Sequence, residues 1–257
     1  MYGYGCFISA NGKQPSGGSF DADAQAFFTA SGITDLTQKN AVNQLVLDLK
    51  NGGFWSGIKA LYPFVGGNAT AHSYNLKNTS QFQINWYGGV THASDGVSFN
   101  GSNGYGDTGL LPSSSLSLNS TLVGVSLKND VTGNFPIGAA TGSRIQIYRL
   151  NSNTYFAVNS ETESYLSLAS VQGLMLVNRN SSTNQALYKD GILLSNASAT
   201  STTLPTTNIF LGARSVTGNT PSLYASAYEE LVIISNGVSN VSSLNTILQS
   251  YLTTIGR

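Results

Sequence analysis

The chain is poor in charge. Only 9% of its 257 residues are Asp, Glu, Lys or Arg, and the formal net charge is zero. An ordinary globular protein carries about a quarter charged residues. Two classes are thereby excluded. Nucleic-acid binding needs a basic surface to displace counterions, and disorder by charge repulsion needs a net charge. Cysteine is almost missing as well. Cys6 stands alone, so there is no internal disulfide framework. No apolar run approaches the length of a membrane span. The opening M-Y-G-Y-G-C-F-I-S-A has neither a basic n-region nor a long apolar stretch, and it does not read as a signal peptide.

What fills the space is Ser, Thr and Asn, 83 residues in all. These residues suit turns and exposed strand faces better than acid–base chemistry. Three zones follow from their distribution. Residues 1–19 are rich in Gly and Ser and read as a flexible arm; Tyr2, Tyr4, Phe7 and Ile8 could dock it on a partner subunit. Residues 20–53 read as a helical preamble. Asp21 caps a short helix that Ser31-Gly32 ends, and Asp35 with Gln38 forms a capping box for a second. Val42, Leu45, Val46 and Leu49 give that second helix one apolar face.

From residue 54 to 257 the period drops to two. Expected strands are 58–65, 81–87, 121–127, 144–150, 154–158, 173–177, 185–189, 208–212 and 230–234, separated by clusters such as N-G-S-N-G and K-D-G. Many short strands so spaced predict an antiparallel sandwich or barrel. A last helix carries Leu244, Ile247, Leu248, Tyr251, Leu252 and Ile255 on one stripe, and Gly256 ends it.

The stretch G-Y-G-D-T-G, Gly104 to Gly109, matches G-x-G-x-x-G. A dinucleotide loop needs a helix directly after it, to present backbone N–H groups to the pyrophosphate. Here L-L-P-S-S-S follows, a poor helix, and no Walker lysine is present. The loop therefore reads as a turn between strands.

Longer segments resemble known proteins. F-N-G-S-N-G-Y-G-D-T (99–108) is similar to the strand–turn–strand opening of laminin-G-like domains, of the concanavalin A-like lectin and glucanase superfamily. N-R-N-S-S-T-N-Q-A-L-Y-K-D-G-I-L-L (178–194), I-F-L-G-A-R (209–214) and A-Y-E-E-L-V-I-I-S-N-G-V-S (227–239) resemble its later hairpin and strands, in the same order. The resemblance implies a mainly β antiparallel jelly-roll sandwich with a short helical preamble and a C-terminal helix. A narrower resemblance covers nearly the whole chain. The leader, with Trp55, Lys59, Tyr62, Pro63, Phe64, Gly66, Gly67, His72, Asn75 and Lys77, looks like uncharacterised virion proteins of bacteriophages. It implies a particle-surface component such as a fibre, spike or head decoration. The arm and helices would contact other virion proteins, the jelly roll would contact host glycans, and the chain would be a homo-oligomer, with a trimer as the first guess.

Candidate site residues follow from side-chain chemistry. A sugar needs an aromatic platform with amide and hydroxyl partners. Trp86 and Tyr87, and Tyr105 with Asn100, Asn103 and Asp107, fit that need; Tyr224 and Tyr228 are further aromatics. Trp86 also fits a core position. Calcium is the cofactor the superfamily implies, with Asp95 and Asp107 as candidate ligands and Asp130 or Asp190 as possible additions; each is also a standard turn former. Cys6, His72 and His92 lack zinc-ligand spacing. Glycoside hydrolysis needs two carboxylates at a fixed separation, and the E-x-D-x-E run of the glucanase branch is missing. Glu161 and Glu163 fall in an expected hairpin turn, while the adjacent Glu229 and Glu230 would point to opposite strand faces. The reading is a non-enzymatic virion surface protein for glycan adhesion. A purely structural subunit and a polysaccharide depolymerase are the alternatives.

Overall fold

The structure, a computed structural model, describes residues 19–257. The expected docking residues of the arm and the thiol of Cys6 lie outside the described residues.

Two antiparallel sheets form the sandwich. The first contains β1 (Ile58–Tyr62), β3 (Val90–Ala93), β4 (Gly96–Phe99), β6 (Thr121–Leu127), β11 (Gly173–Arg179), β12 (Asn184–Lys189), β13 (Ile192–Ser198) and β17 (Tyr228–Ser235). Its order is β13-β12-β11-β6-β17-β4-β3, with β1 also paired to β17. The second contains β2 (Asn85–Tyr87), β5 (Tyr105–Asp107), β7 (Ile137–Thr141), β8 (Ser143–Leu150), β9 (Asn153–Ser160), β10 (Ser164–Ser167), β14 (Phe210–Leu211), β15 (Arg214–Val216) and β16 (Thr220–Ser222). Its order is β10-β9-β8-β7-β14-β5-β2, with the β15–β16 hairpin attached to β7. The expected jelly-roll sandwich is therefore present.

The helices are α1 (Ala22–Ser31), α2 (Leu36–Asn51), α3 (Ala69–Ser73), α4 (Pro112–Ser115) and α5 (Val241–Thr254). Asp21 caps α1 by accepting from Asp23 N at 3.0 Å, and Gly32 ends it at φ 70. Asp35 caps α2 by accepting from Gln38 N at 2.7 Å. The capping box is only half made. Gln38 uses its amide elsewhere, with Oε1 accepting from Gly66 N at 2.9 Å. The Gly66 amide takes the side-chain oxygen that the local return bond would use, and so is not left unpaired.

The first sheet is apolar on both faces. Val123 and Val125 of β6, Met175 and Val177 of β11, and Val232 and Ile234 of β17 face the second sheet. Their neighbours Leu122, Leu174, Leu176, Leu231 and Ile233 face away from it and join a second cluster. There they meet Val42, Leu45 and Leu49 of α2 and Leu244, Leu248 and Leu252 of α5. Each such side chain stabilises the fold by about 1.5–3 kcal/mol relative to exposure. This arrangement explains why L-V-I-I in β17 is an unbroken apolar run. Residues 20–53 thus form helices laid on the sheet. At one end of the sandwich, fully buried Arg179 donates to Val158 O at 2.7 Å and Ala199 O at 2.9 Å, tying β11 to β9.

Some elements depart from expectation. The strand expected at 58–65 stops at Tyr62, because Pro63 follows and Phe64 takes φ 43. That expected at 81–87 shrinks to Asn85–Tyr87, since Phe82 has φ 56 and Ile84 N donates to Ser73 O at 2.9 Å. After the glycine-rich loop a helix does form, contrary to expectation. It is the single turn α4, with Pro112 near its first position, where a missing N–H costs nothing.

Candidate functional site

The second sheet has its outer face bare of helices among the described residues. The alternation of its strands sets what that face displays. Ile145, Ile147, Phe156 and Val158 point into the sandwich. Tyr148 of β8 and Tyr155 of β9 take the opposite phase and stand outward. Register then aligns tyrosines across the sheet. Tyr87 pairs with Tyr105, Tyr148 with Tyr155, and Tyr155 with Tyr165. The Tyr87 and Tyr105 rings stack at 4.7 Å and 12°, those of Tyr148 and Tyr155 at 4.9 Å and 10°. Tyr165 lies 5.4 Å from Tyr155 and is 63% exposed. Between the two stacks sit Tyr224, 6.2 Å from Tyr105, and Phe135, 4.3 Å from Tyr148; their backbones form a β-bridge. The result is a band of aromatic rings crossing the sheet.

Polar groups flank the band. Glu163 accepts from Tyr148 OH at 2.9 Å and from Gln146 Nε2 at 2.5 Å, and its carboxylate lies 3.2 Å from Arg144 Nε. Burial, then the Glu163 carboxylate, pushes the Tyr148 phenol up, so it stays a neutral donor. Arg149 pairs with Asp130 at 2.5 Å. Arg214 lies over the Phe135 ring, 4.7 Å from its centroid. Such a face offers stacking surfaces and oriented donors and acceptors.

The sequence-derived candidates separate into three fates. Tyr87 and Tyr105 join the band, Tyr87 at 45% exposure. Asp107 is on the same face, where it accepts from Asn208 Nδ2 at 3.0 Å and Gly109 N at 2.8 Å. Asn100 and Asn103 are exposed, yet their amides are spent on the turn. Asn100 Oδ1 accepts from Ser102, Asn103 and Gly104 backbone N–H groups, and Asn103 Oδ1 from Gly89 N at 3.0 Å. A Cβ on Gly104 would lie 2.3 Å from Gly89 O, so this glycine serves close loop packing. Trp86 turns the other way, packing against Phe64, His92 and Phe99 and donating Nε1 to Ala69 O at 3.1 Å.

Asp95 is on the first sheet's hairpin, bonded to Lys128 and Tyr228. It is not brought together with Asp107, and no cluster of three or more potential ligands occurs among the described residues. Asp130 is held by Arg149 and Val171 N, Asp190 by Leu174 N and Gln249. His72 and His92 face each other, Nδ1 to Nδ1, at 3.1 Å. Burial, then the neighbouring His92, drives His72 down to about 3, so it is neutral near pH 7. Glu161 is exposed in the β9–β10 turn, and Glu163 is fully engaged. Glu229 points into the sandwich, where Gly212 N donates to it, while Glu230 accepts from Ser126 on the other face. Neither carboxylate pair brackets a shared opening.

A groove of about 700 Å³ lies elsewhere, between the end of α2 and the start of α5. Its walls are mostly Gly, Ser and Asn with no titratable side chain, so it lacks the features of the tyrosine face.

The fold is a two-sheet antiparallel β-sandwich of the jelly-roll kind. No family profile and no curated protein matches the chain. Solved structures do share its fold. The botulinum neurotoxin DC binding domain, solved in complex with rat synaptotagmin II, aligns with TM-score 0.54 at 10% identity, over 77% of this chain and 52% of that one. A structure from work on botulinum neurotoxin type C, whose cell entry depends on interaction with two ganglioside molecules, aligns with TM-score 0.54 at 10% identity, over 78% and 53%. Trypanosoma rangeli sialidase in complex with sialic acid aligns with TM-score 0.52 at 14% identity, over 78% and 34%. The chain spans about half the length of the toxin domains and a third of the sialidase.

Proposed function

We propose that this protein is a non-enzymatic adhesion module that binds glycans on the outer face of its second sheet. The observation that carries this reading is the aligned row Tyr87, Tyr105, Tyr148, Tyr155 and Tyr165 on a face that no helix of the described residues covers. Tyrosine rings stack on sugar rings while their hydroxyls stay wet. A shared fold with a sialidase solved with sialic acid and a toxin dependent on gangliosides supports the same class of ligand. We assign the setting, a phage virion surface, from the resemblance of the leader; other virion proteins and sister subunits are its partners there. Several copies, three in our reading, would add weak sites into useful avidity.

The test is binding of purified protein to host surface polysaccharide, repeated with Tyr148→Ala and Tyr155→Ala together. Binding that disappears in the double variant supports the reading; no binding by the parent protein defeats it. Antibody labelling of intact particles in the electron microscope checks the location, and unlabelled particles defeat the virion setting. One observation favours a structural subunit instead: edge strand β13 exposes Ile192 at 66% and Leu193 at 51%, a surface suited to another chain. Particles lacking the protein that adsorb normally but break on warming would establish that role.

A further inference from the structure

Three guanidinium groups lie on or beside the tyrosine face. Two have carboxylate partners: Arg144 with Glu163, and Arg149 with Asp130. Arg214 does not. Its side chain crosses Gly138, where an added Cβ would meet Arg214 Cγ at 3.1 Å, and its guanidinium lies over Phe135. Its Nε is buried and bonded to nothing among the described residues. Burial first, then the field of Arg144, disfavours its charge, while Glu163 and Tyr148 favour it. No ion pair joins it to Glu163, whose carboxylate is engaged by Arg144, Gln146 and Tyr148. Nearby, Gln146 is 1% exposed and its Oε1 is also unpaired. Buried polar atoms without partners are uncommon in folded proteins. Both atoms are shielded from solvent, so what the face offers a ligand is the half-buried Arg214 side chain, which has no carboxylate partner among the described residues.

We propose that this face selects carboxylate-bearing saccharides, such as uronic or sialic acid units, with the Arg214 guanidinium receiving the carboxylate beside the Tyr148 ring. The inference rests on the adhesion reading and names its ligand class. A planar guanidinium fits a carboxylate with two parallel hydrogen bonds, and its charge makes them strong. Phe135 holds the arginine from below, so little side-chain freedom is lost on binding. The tyrosines supply stacking that does not depend on ligand charge.

Titration calorimetry with two matched pairs of probes tests this: oligogalacturonate against its methyl ester, and sialyllactose against lactose. At least one carboxylated probe should bind about tenfold or more tightly than its neutral match. Added salt should narrow that gap. Arg214→Gln should close the gap. Arg214→Lys keeps a charge over Phe135 but loses the fork, and should restore only part of the gap. A parent protein that binds both members of each pair equally overturns the charge selection and leaves the adhesion reading standing. So does an Arg214→Gln protein, folded by its melting curve, that keeps the gap. If no saccharide, including host polysaccharide, binds the parent protein, both readings fall.

Discussion

The two sheets of the sandwich share one core but treat their outer faces in opposite ways. The first sheet points Leu122, Leu174, Leu176, Leu231 and Ile233 outward and covers them with α2 and α5. The second points tyrosines, arginines and a glutamate outward, and among the described residues no helix covers them. One outer face is spent on stability; the other is the face to which the proposed adhesion is assigned. Contacts under the helices cannot reach a ligand without unfolding, whereas rings on the open face can be reached without moving the backbone.

Changes on the covered side should cost most. Leu248→Ala removes a fully buried side chain of α5 from the cluster beneath it and should lower stability by about 2–5 kcal/mol, read from the urea midpoint. The interior of the sandwich should show a pH slope. Glu229 is fully buried, and burial raises its carboxyl well above the usual range against one lowering bond from Gly212 N. Below that range both folded and unfolded chains hold the proton. As pH rises, the unfolded chain releases it first, so stability falls until the folded carboxyl also ionises. Denaturation midpoints between about pH 4 and pH 8 should decline, and Glu229→Gln should flatten the decline. Removing the α2 cap with Asp35→Ala should cost about 1 kcal/mol. On the open side, Tyr155→Ala should change stability least, by under about 1 kcal/mol, yet weaken glycan binding about tenfold. A Tyr155 variant as unstable as the Leu248 one would break the contrast between the faces.

Much of the fold was legible because its signals are local. Caps at Asp21 and Asp35, the stripe from Val42 to Leu49 and the turn clusters all act over a few residues. What escaped was long-range. Gln38 gave up half its capping box to a loop nearly thirty positions away. Arg179 is buried without a carboxylate because two distant segments, at Val158 and Ala199, offer it carbonyls, and no sequence pattern announces that. The site was half visible. Tyr87 and Tyr105 stood out beside a glycine-rich turn. Tyr148 and Tyr155 were hidden inside R-I-Q-I-Y-R-L and T-Y-F-A-V, expected as ordinary strands. Their signal was phase: an aromatic at the position where alternation calls for a polar residue. Asn100 and Asn103 were chosen as sugar-binding amides, and their turn-holding role shows only in the hydrogen bonds that their side-chain oxygens accept.

The tyrosine row also has an interval. From β5 to β8 the order runs through β14 and β7, three strand spacings or about 14 Å. One stack lies on either side, with Tyr224 and Phe135 between them. A short oligosaccharide would occupy one stack; a longer one would reach both and gain from the tether. Affinity should therefore climb in a step with the number of sugar units rather than smoothly, making the face a gauge of polymer length.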